Sequence, residues 1–300
     1  MKNIILFFVI SMNGFFLIDK PEDWTSRDVV TKISHIFHIR KVGHSGTLDP
    51  FATGLLLVSI GTATKTNICL DGLDKEYVAT LKLGGRTLSG DKTNEILEEK
   101  PVVAPTKEQI SKVFKELLGP QKQVPPMVSA VRYKGQKLFH LALQGIEVDR
   151  PARDINIYEL ELLDFKDDEI TFRAKVSKGT YIRVLGEEIA KRLDNLGYLV
   201  SLRRTKVGPF DVKDAIKVLE VSEDKLISMY DALKFLPMVE LDNKNAIRAS
   251  HGVAFPATIS QSRDIVLMVD KNHTVIAIYK YCDGQFKCQR GLNEYGNNSI

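Results

Sequence analysis

The sequence predicts an α/β fold followed by a small β-rich domain at the C-terminus. Residues 25–37 and 106–118 have the apolar spacing of amphipathic helices, and residues 75–83 alternate polar and apolar side chains as a strand does. Residues 239–292 are rich in short alternating segments. A chain of 300 residues is long enough for one large domain and a small second one.

The predicted elements follow one another with turn residues between them. Residues 15–18 form a strand that ends at Lys20-Pro21, and Thr25 or Ser26 caps the helix that follows. The further expected elements are a short helix at 62–70, a strand at 75–83, a polar loop from Gly84 to Asp91, a helix at 106–118 opened by a Thr106/Gln109 capping box, strands near 155–163 and 170–176, a helix from about Ile182, a strand at 198–206, and one or two helices within 211–235.

The composition is that of an ordinary globular protein with a mildly basic balance. A net charge of +4 permits nucleic-acid binding without establishing it, because charge must be clustered to attract a polyanion. The spacing of Cys69, Cys282 and Cys288 argues against a disulfide framework and against a zinc site, and it suits a reducing compartment. We therefore expect a cytoplasmic protein without a bound metal.

The first twelve residues need an interpretation of their own. Residues 4–10 are apolar and follow Lys2, as in a short signal sequence, but the run is too short to span a bilayer and no small-residue cleavage site follows it. We interpret Met12 as an alternative start and residues 1–12 as an N-terminal extension, and we expect no membrane association. An uncleaved membrane anchor is the alternative.

Residues 41–54, Lys-Val-Gly-His-Ser-Gly-Thr-Leu-Asp-Pro-Phe-Ala-Thr-Gly, are the stretch on which a functional interpretation depends. Their glycines, proline and hydroxyl residues disfavour both helix and strand and predict a loop. The loop's carboxylate, Asp49, precedes Pro50, which pushes its backbone towards extended angles. A turn with a capping aspartate is the alternative that these residues alone leave open.

This loop resembles the catalytic loop of the tRNA pseudouridine-55 synthase family, of the bacterial TruB type, whose Gly-His-x-Gly-x-Leu-Asp-Pro-x-Ala-x-Gly pattern carries the catalytic aspartate. Here the pattern runs from Gly43 to Gly54. The family usually has glycine two residues after Pro21, where this chain has Asp23. Other segments typical of the family follow in the same order, and they are Lys20-Pro21 with Thr25-Ser26, Lys75-Glu76-Tyr77, Arg86-Thr87, 126–130, 177–183 and Leu202-Arg203-Arg204.

The resemblance implies a domain organisation. A pseudouridine synthase catalytic domain over residues 13–235 would have a mixed, largely antiparallel sheet with helices around it, and residues 121–153 would form a thumb over the T-arm of tRNA. Residues 236–292 would form a PUA-like β domain, and 293–300 a disordered tail. Basic side chains interleaved with Tyr133, Phe139 and His140 suit a thumb that contacts RNA, although surface basic loops without function are also common.

The resemblance also implies a site and a reaction. Pseudouridine formation breaks the bond between ribose C1′ and uracil N1, turns the base and rejoins it through C5, so no cofactor is expected. Asp49 would be the catalytic residue, as nucleophile, as base towards C2′ or as electrostatic partner of the sugar, and we expect Arg183 to lower its pKa. The expected substrate-binding residues are Tyr77 as stacking platform, Tyr181 and Leu202 in the pocket, Arg183 beside Asp49, His44 in the gap of the RNA stack, and Lys20 at the loop or on a phosphate.

The implied function is isomerisation of the T-loop uridine 55 of tRNA by a monomer that needs no protein partner. One alternative is a non-catalytic RNA-binding protein or tRNA-folding chaperone on the same scaffold. Another is a synthase of the same family that acts on a different RNA or needs a guide-RNA complex.

Overall fold

The structure, a computed structural model, describes residues 12–129, 132–262 and 264–292. Residues 1–11 of the expected N-terminal extension and the expected tail from residue 293 lie outside these ranges. Up to residue 123, the elements are β1 (Gly14–Lys20), α1 (Ser26–Phe37), β2 (Val42–Ser45), β3 (Thr53–Ile60), α2 (Asn67–Leu70), β4 (Lys75–Leu83), β5 (Gly85–Thr87), β6 (Ile96–Glu99), α3 (Lys107–Leu117) and β7 (Gly119–Gln123).

The remainder of the chain adds thirteen strands and four α-helices within the described ranges. They are β8 (Arg132–Tyr133), β9 (Gln136–Lys137), α4 (Leu138–Leu143), β10 (Arg153–Lys166), β11 (Glu169–Val176), α5 (Ile182–Arg192), β12 (Gly197–Val207), β13 (Phe210–Asp211), β14 (Ile216–Lys217), β15 (Ile227–Ser228), α6 (Met229–Leu233), β16 (Met238–Leu241), α7 (Asn243–Ser250), β17 (Phe255–Pro256), β18 (Ile265–Asp270), β19 (Val275–Cys282) and β20 (Gln285–Gly291). Short 3-10 helices span Gly61–Thr66, Val212–Asp214, Val218–Glu220, Glu223–Lys225 and Ala257–Ile259.

An eleven-stranded mixed sheet forms the centre of the molecule. Its main path is β14-β1-β3-β12-β4-β11-β10-β7, and β2, β13 and β15 pair beside it. The β1–β14 and β3–β12 pairs are parallel, whereas the long neighbours β4, β10, β11 and β12 pair antiparallel. This arrangement confirms the predicted α/β fold with a mixed, largely antiparallel sheet.

Both faces of the central strands are covered. Along β3, Leu56 and Val58 join a core that includes Val29 and Ile33 of α1, together with apolar residues of α3 and α5. The alternate residues of β3 face a second core, described below, so the strand is continuously apolar from Leu55 to Val58, as strands with two covered faces are.

The C-terminal residues form a separate five-stranded sheet in the order β16-β18-β19-β20-β17. Leu267 and Val269 of this sheet pack with Leu55 and Leu57 of β3 in one shared core, which also contains residues of α6. The predicted β-rich C-terminal part is confirmed. The helix α7 was not predicted, because its buried residues are the small Ala246 and Ala249, which give little apolar periodicity.

Two segments differ from the sequence prediction. The first residues of the 41–54 stretch form β2, which pairs with β3, because ladder hydrogen bonds outweigh the low strand propensity of Gly43. The predicted polar loop after Gly84 begins as the hairpin strand β5. Within 211–235 the prediction of one or two helices is met by the α-helix α6, and Val218, which is buried in the large core, begins one of the 3-10 helices that precede it.

Candidate active site

Asp49 lies in the loop between β2 and β3, and contacts from α1 and β1 fix this loop. The Ser26 hydroxyl at the start of α1 accepts from the Leu48 N–H at 2.9 Å and lies 3.3 Å from the Leu48 carbonyl oxygen. The Asp23 N–H donates to the Pro50 carbonyl at 2.9 Å, and Asp23 has a φ of 62°, the positive value that glycine usually supplies. The turn after β1 therefore keeps its geometry with aspartate in that position.

Lys20 is fully buried beneath the same loop. Its ammonium donates to the carbonyls of Pro50 at 3.1 Å, Trp24 at 2.5 Å and Pro21 at 2.8 Å. Burial lowers the pKa of Lys20 to about 8, with Asp23 and Asp49 opposing the shift. A buried ammonium with three carbonyl acceptors does not reach a phosphate at the surface, so we assign Lys20 to support of the loop and not to substrate binding.

Arg204 of β12 holds the two ends of the loop together. Its guanidinium donates to the Leu55 carbonyl at 2.7 Å and to the Gly46 carbonyl at 2.9 Å, and the residue is almost fully buried. The backbone of Arg204 lies so close to Gly54 that a Cβ at Gly54 would lie 2.3 Å from the Arg204 carbonyl oxygen. The glycine that ends the loop pattern is therefore required by backbone contact with β12.

Asp49 faces the guanidinium of Arg183, which lies in the first turn of α5. Nη2 of Arg183 donates to Oδ1 of Asp49 at 3.2 Å, and Nε lies 2.9 Å from Oδ2 without hydrogen-bond alignment. Nη1 lies 3.5 Å from Oδ2 of Asp91 and donates to the Ser89 carbonyl at 2.6 Å, so two carboxylates share one cation. Arg183 is 3% exposed, and it is held from several sides.

The surroundings of Asp49 raise its pKa, although 35% of its side chain is exposed. Burial disfavours the charged carboxylate and is the main cause, and the charge of Asp91 adds to it. Arg183 and Lys20 oppose the shift without reversing it. Arg183 thus lowers the pKa of Asp49 as expected, but burial, which the sequence did not indicate, outweighs the arginine and leaves the pKa raised.

Asp49 opens onto a cavity whose walls come from five parts of the chain. Among the expected site residues, Asp49, Tyr77, Tyr181, Arg183 and Leu202 all line it. Tyr77 on β4 and Leu202 on β12 are buried, and Tyr181 is half-exposed at the N-terminal end of α5. The cavity also includes residues that had no expected role, and they are Gly46, Asp71, Lys75, Ser129, Lys178 and Arg204.

His44 and Lys20 are not among the residues that line this cavity. His44 lies on β2, opposite Val58 of β3, only two residues before Gly46 at the cavity wall. Burial and the charges of Arg204 and Arg27 lower the pKa of His44, so its imidazole is neutral at pH 7. Its Nδ1 is buried without a hydrogen-bond partner.

Residues 121–153 leave the sheet after β7 and return to it at β10. Met127, Leu138 and Leu141 form a small core of this segment, with Val148 packed against it. The segment reaches the active site through Val128, whose carbonyl accepts from Nη2 of Arg183 at 3.0 Å. Arg183 thus contacts Asp49 and the inserted segment at once.

Sequence reasoning missed several residues that shape the site. Arg204 belongs to a segment noted for its resemblance, but nothing in the sequence indicated that its side chain is buried under the loop. Asp91 and Gln123 approach the site across more than thirty positions in sequence, a distance over which no local pattern carries a signal. In the described part of the chain no cluster of three or more His, Cys, Asp or Glu side chains could hold a metal ion, and no helix there is long and apolar enough to cross a membrane.

The sequence of this chain is similar to proteins of a known family. Residues 34–182 match the model described as "TruB family pseudouridylate synthase (N terminal domain)". The "tRNA pseudouridine synthase B" of Hydrogenovibrio crunogenus is 41% identical, and the match covers 80% of each chain. That of Coxiella burnetii is 37% identical over 89% of this chain and 90% of the relative.

Solved structures agree on the fold. A crystal structure of a Cbf5-Nop10-Gar1 complex contains a chain that is 25% identical, with a TM-score of 0.73 over 93% of this chain and 85% of that one. A chain in the structure of an H/ACA RNP bound to a substrate RNA that contains 2′-deoxyuridine has a TM-score of 0.72 at 23% identity, over 94% and 86% of the two chains. Both share the α/β architecture with the β-rich C-terminal part.

Proposed function

This chain belongs to the TruB family of pseudouridylate synthases, and we propose that it isomerises uridine to pseudouridine at position 55 in the T-loop of tRNA. The observation that carries the proposal is the pairing of Asp49 with Arg183 in a cavity that Tyr77, Tyr181 and Leu202 also line. Two relatives that match most of the chain have the name tRNA pseudouridine synthase B, which supports tRNA as the substrate.

The proposed substrate enters the cavity as a flipped nucleotide. A uridine in a folded RNA loop must leave its stack, which costs a few kcal/mol, and stacking on an aromatic side chain returns about 1–3 kcal/mol per base. Tyr77, on the rigid strand β4, is the proposed platform. Tyr181 and Leu202 would close the pocket around the base, and His44, neutral and next to the cavity wall, would occupy the place that the base leaves.

Asp49 is the proposed catalytic residue. The C1′–N1 bond of uridine breaks and a C1′–C5 bond forms, and the proton originally on C5 is lost to solvent while N1 gains one, so atoms and charge balance. As nucleophile at C1′, as base towards C2′ or as partner of a positively charged sugar, Asp49 acts in its ionised form. Arg183 would keep a fraction of Asp49 ionised against the effect of burial and would hold its orientation.

The RNA would lie over the basic side of the loop. Exposed basic side chains follow one another along α1 and into the loop, and they are Arg27, Lys32, His35, His38, Arg40 and Lys41. Such a row suits a phosphate backbone. The segment 121–153 would close over the T-arm from the other side as the thumb. In this proposal residues 13–235 are the catalytic domain and residues 236–292 are a PUA-like domain, whose strands between Met238 and Gly291 would contact the RNA.

We propose that the enzyme acts as a cytoplasmic monomer without a protein partner or cofactor. One RNA arm can be recognised by shape from a single chain, and all three cysteines are free.

The proposal is tested by tritium release from unmodified tRNA labelled at C5 of its uridines. Wild-type protein should release tritium from one position per molecule, and Asp49→Asn should release none while it still binds the tRNA. A tRNA in which uridine 55 is replaced by cytidine should release none with wild type. Tight binding without release by the wild type would contradict the proposal and favour an RNA-folding role, and release from the cytidine-55 tRNA would contradict position 55 alone.

A further inference from the structure

Gln123 makes two hydrogen bonds to the backbone of one residue of the site. The N–H of Tyr181 donates to Oε1 of Gln123 at 2.7 Å, and Nε2 of Gln123 donates to the Tyr181 carbonyl at 3.1 Å. Tyr181 is extended, with φ −95° and ψ 111°, a conformation in which N–H and C=O of one residue point to the same side. The side-chain amide therefore pairs with Tyr181 as a neighbouring strand would.

We propose that Gln123 is a positioning residue for the isomerisation: it fixes the backbone at the start of α5 so that Tyr181 and Arg183 stand correctly against Asp49. The inference rests on the proposed function of this site. Gln123 is not among the residues that line the cavity, so it acts through Tyr181 and not on the substrate.

The two hydrogen bonds between Gln123 and Tyr181, here called the clamp, act at the N-terminal end of α5, where no side chain of the helix itself caps the first turn. Tyr181 is the N-cap of α5 without a side-chain hydrogen bond, and its carbonyl also accepts from the Leu185 N–H at 3.1 Å. The turn that precedes it passes through Gly179 with a φ of 80°. A shift of Tyr181 would move the first turn of α5, and Arg183 lies in that turn two residues from the clamp.

Gln123 also marks the root of the inserted segment. It is the last residue of β7, and it pairs with Arg153, the first residue of β10, so the chain leaves and re-enters the sheet at this pair. Pro125 and Pro126 follow after Val124, and proline cannot continue a ladder because it lacks an N–H. The side chain of Gln123 is thus anchored on the sheet and connects the root of the segment 121–153 to the residues beside Asp49.

The chemistry selects glutamine at this position. The pairing needs one donor and one acceptor side by side on the same planar group, which the glutamine amide supplies in every state of protonation, and asparagine is one methylene shorter. Gln123 is 7% exposed, so water cannot replace either hydrogen bond without rearrangement. Gln123→Met removes both hydrogen bonds at similar volume, whereas Gln123→Glu keeps the acceptor and sets a carboxylate against the Tyr181 carbonyl.

Gln121 offers a matched control. It lies on the same strand two residues earlier, and its amide donates to the Leu117 carbonyl at the end of α3 at 3.2 Å. Gln121→Met therefore removes a glutamine hydrogen bond from β7 without touching Tyr181.

The experiment measures single-turnover tritium release at saturating tRNA, the Kd for tRNA, and amide hydrogen exchange at Tyr181. We expect Gln123→Met and Gln123→Glu to lose about 10- to 100-fold in rate with Kd changed less than about threefold, because displaced catalytic groups lower rate before affinity. The Tyr181 amide should exchange faster than in wild type. In a Tyr181→Ala background the further loss from Gln123→Met should be smaller, since the two residues act together.

Three results would overturn the inference in a wild-type enzyme that is active: rates within twofold of wild type for both folded variants, a loss confined to Kd, or an equal loss in Gln121→Met. If Gln123→Met does not fold, Gln123→Glu decides by the same criteria, and failure of both to fold would assign Gln123 to stability alone. Absence of release by the wild type would instead refute the proposed function, and this inference with it.

Discussion

Nε of Arg183 lies 2.9 Å from Oδ2 of Asp49 although 134 positions separate the two residues in sequence. The same guanidinium donates to the carbonyls of Ser89 and Val128. One buried side chain therefore joins the loop after β2, the loop after β5, the inserted segment and α5.

Replacing Arg183 with lysine should lower the rate at saturating tRNA by about 100-fold, because an ammonium cannot contact Asp49, Ser89 and Val128 together. Single-turnover tritium release measures the loss. Arg203→Lys is the control, since Arg203 makes a two-point ion pair with Asp19 at 2.7 and 2.9 Å but does not line the cavity. Similar losses in both variants would contradict a special role of Arg183, because loss of any ion pair near the loop would then lower the rate equally.

Activity should fall on the acid side at a higher pH than an ordinary carboxylate would give. Burial raises the pKa of Asp49 and the proposed reaction needs the ionised form, so the rate should drop as the pH falls through this raised pKa. The measurement is the pH dependence of the single-turnover rate at saturating tRNA. An acid limb at or below the usual carboxyl range would contradict the prediction.

The raised pKa of Asp49 also makes the stability of the fold depend on pH. A carboxyl with a raised folded-state pKa favours folding below its unfolded pKa, and that contribution is lost as pH rises through the folded pKa. Asp49→Asn should therefore be at least as stable as wild type at pH 7, and its advantage should shrink as the pH falls towards the unfolded pKa. Thermal melts of both proteins across pH test this, and a variant that loses stability at pH 7 would contradict it.

His44→Ala should reduce turnover far less than Asp49→Ala, because in the proposed reaction only Asp49 touches the bonds that change. We expect a loss of about 10- to 100-fold for His44→Ala, the cost of a base that flips less readily, against complete loss for Asp49→Ala. Tritium release with each variant gives the comparison. Equal losses of several orders of magnitude would refute the ranking.

Lys20→Met should destabilise the fold by roughly 3 kcal/mol, since the carbonyls of Pro21, Trp24 and Pro50 lose their buried donor. It should leave the salt dependence of tRNA affinity unchanged, because the buried ammonium meets no phosphate. Lys41→Met is the control, because Lys41 is exposed at the start of the loop. This variant should keep the stability of the wild type, and the slope of log K for tRNA against log salt concentration should become shallower by about 1. Urea unfolding and salt titrations separate the two.

Gly54→Ala should cost about 3 kcal/mol or more, because its Cβ would collide with the Arg204 backbone and its φ is 100°. Gly145→Ala is the control for backbone strain alone, since Gly145 has a φ of 69° and open space where a Cβ would stand. We expect this variant to lose about 1 kcal/mol of stability. Denaturant unfolding gives both values. Equal losses would mean that contact with β12 contributes nothing.

The sequence predicted best where the controlling interactions are local. The helix α3 begins after Thr106 because the Thr106 hydroxyl and the Gln109 side chain satisfy each other's backbone donors, a signal contained within four residues. The strand β4 and the α/β class followed from periodicity in the same way. The α-helix α6 agrees with the one or two helices predicted within 211–235, whereas the short 3-10 helices before it gave no local signal, because tertiary packing of residues such as Val218 holds them.

In the site, too, the residue identities could be predicted from sequence patterns, whereas properties that depend on tertiary packing could not. The loop pattern indicated Asp49, and the resemblance indicated Tyr77, Tyr181, Arg183 and Leu202, all of which meet at one cavity. The burial of Lys20 and the upward shift of the Asp49 pKa could not be predicted, because both depend on how much protein surrounds a group. No local spacing reports that quantity.

The core that Leu55 and Leu57 of β3 share with Leu267 and Val269 of the C-terminal sheet has a consequence for how the molecule unfolds. If the C-terminal sheet opened alone, it would expose to water the apolar face of the very strand that leads out of the Asp49 loop. That exposure is unfavourable at about 25 cal/mol per Å², so separation of the two sheets would weaken the larger one at its centre. We therefore expect the two sheets to melt as a single cooperative unit, and a chain cut before Met238 to lose its ordered Asp49 loop together with the missing strands.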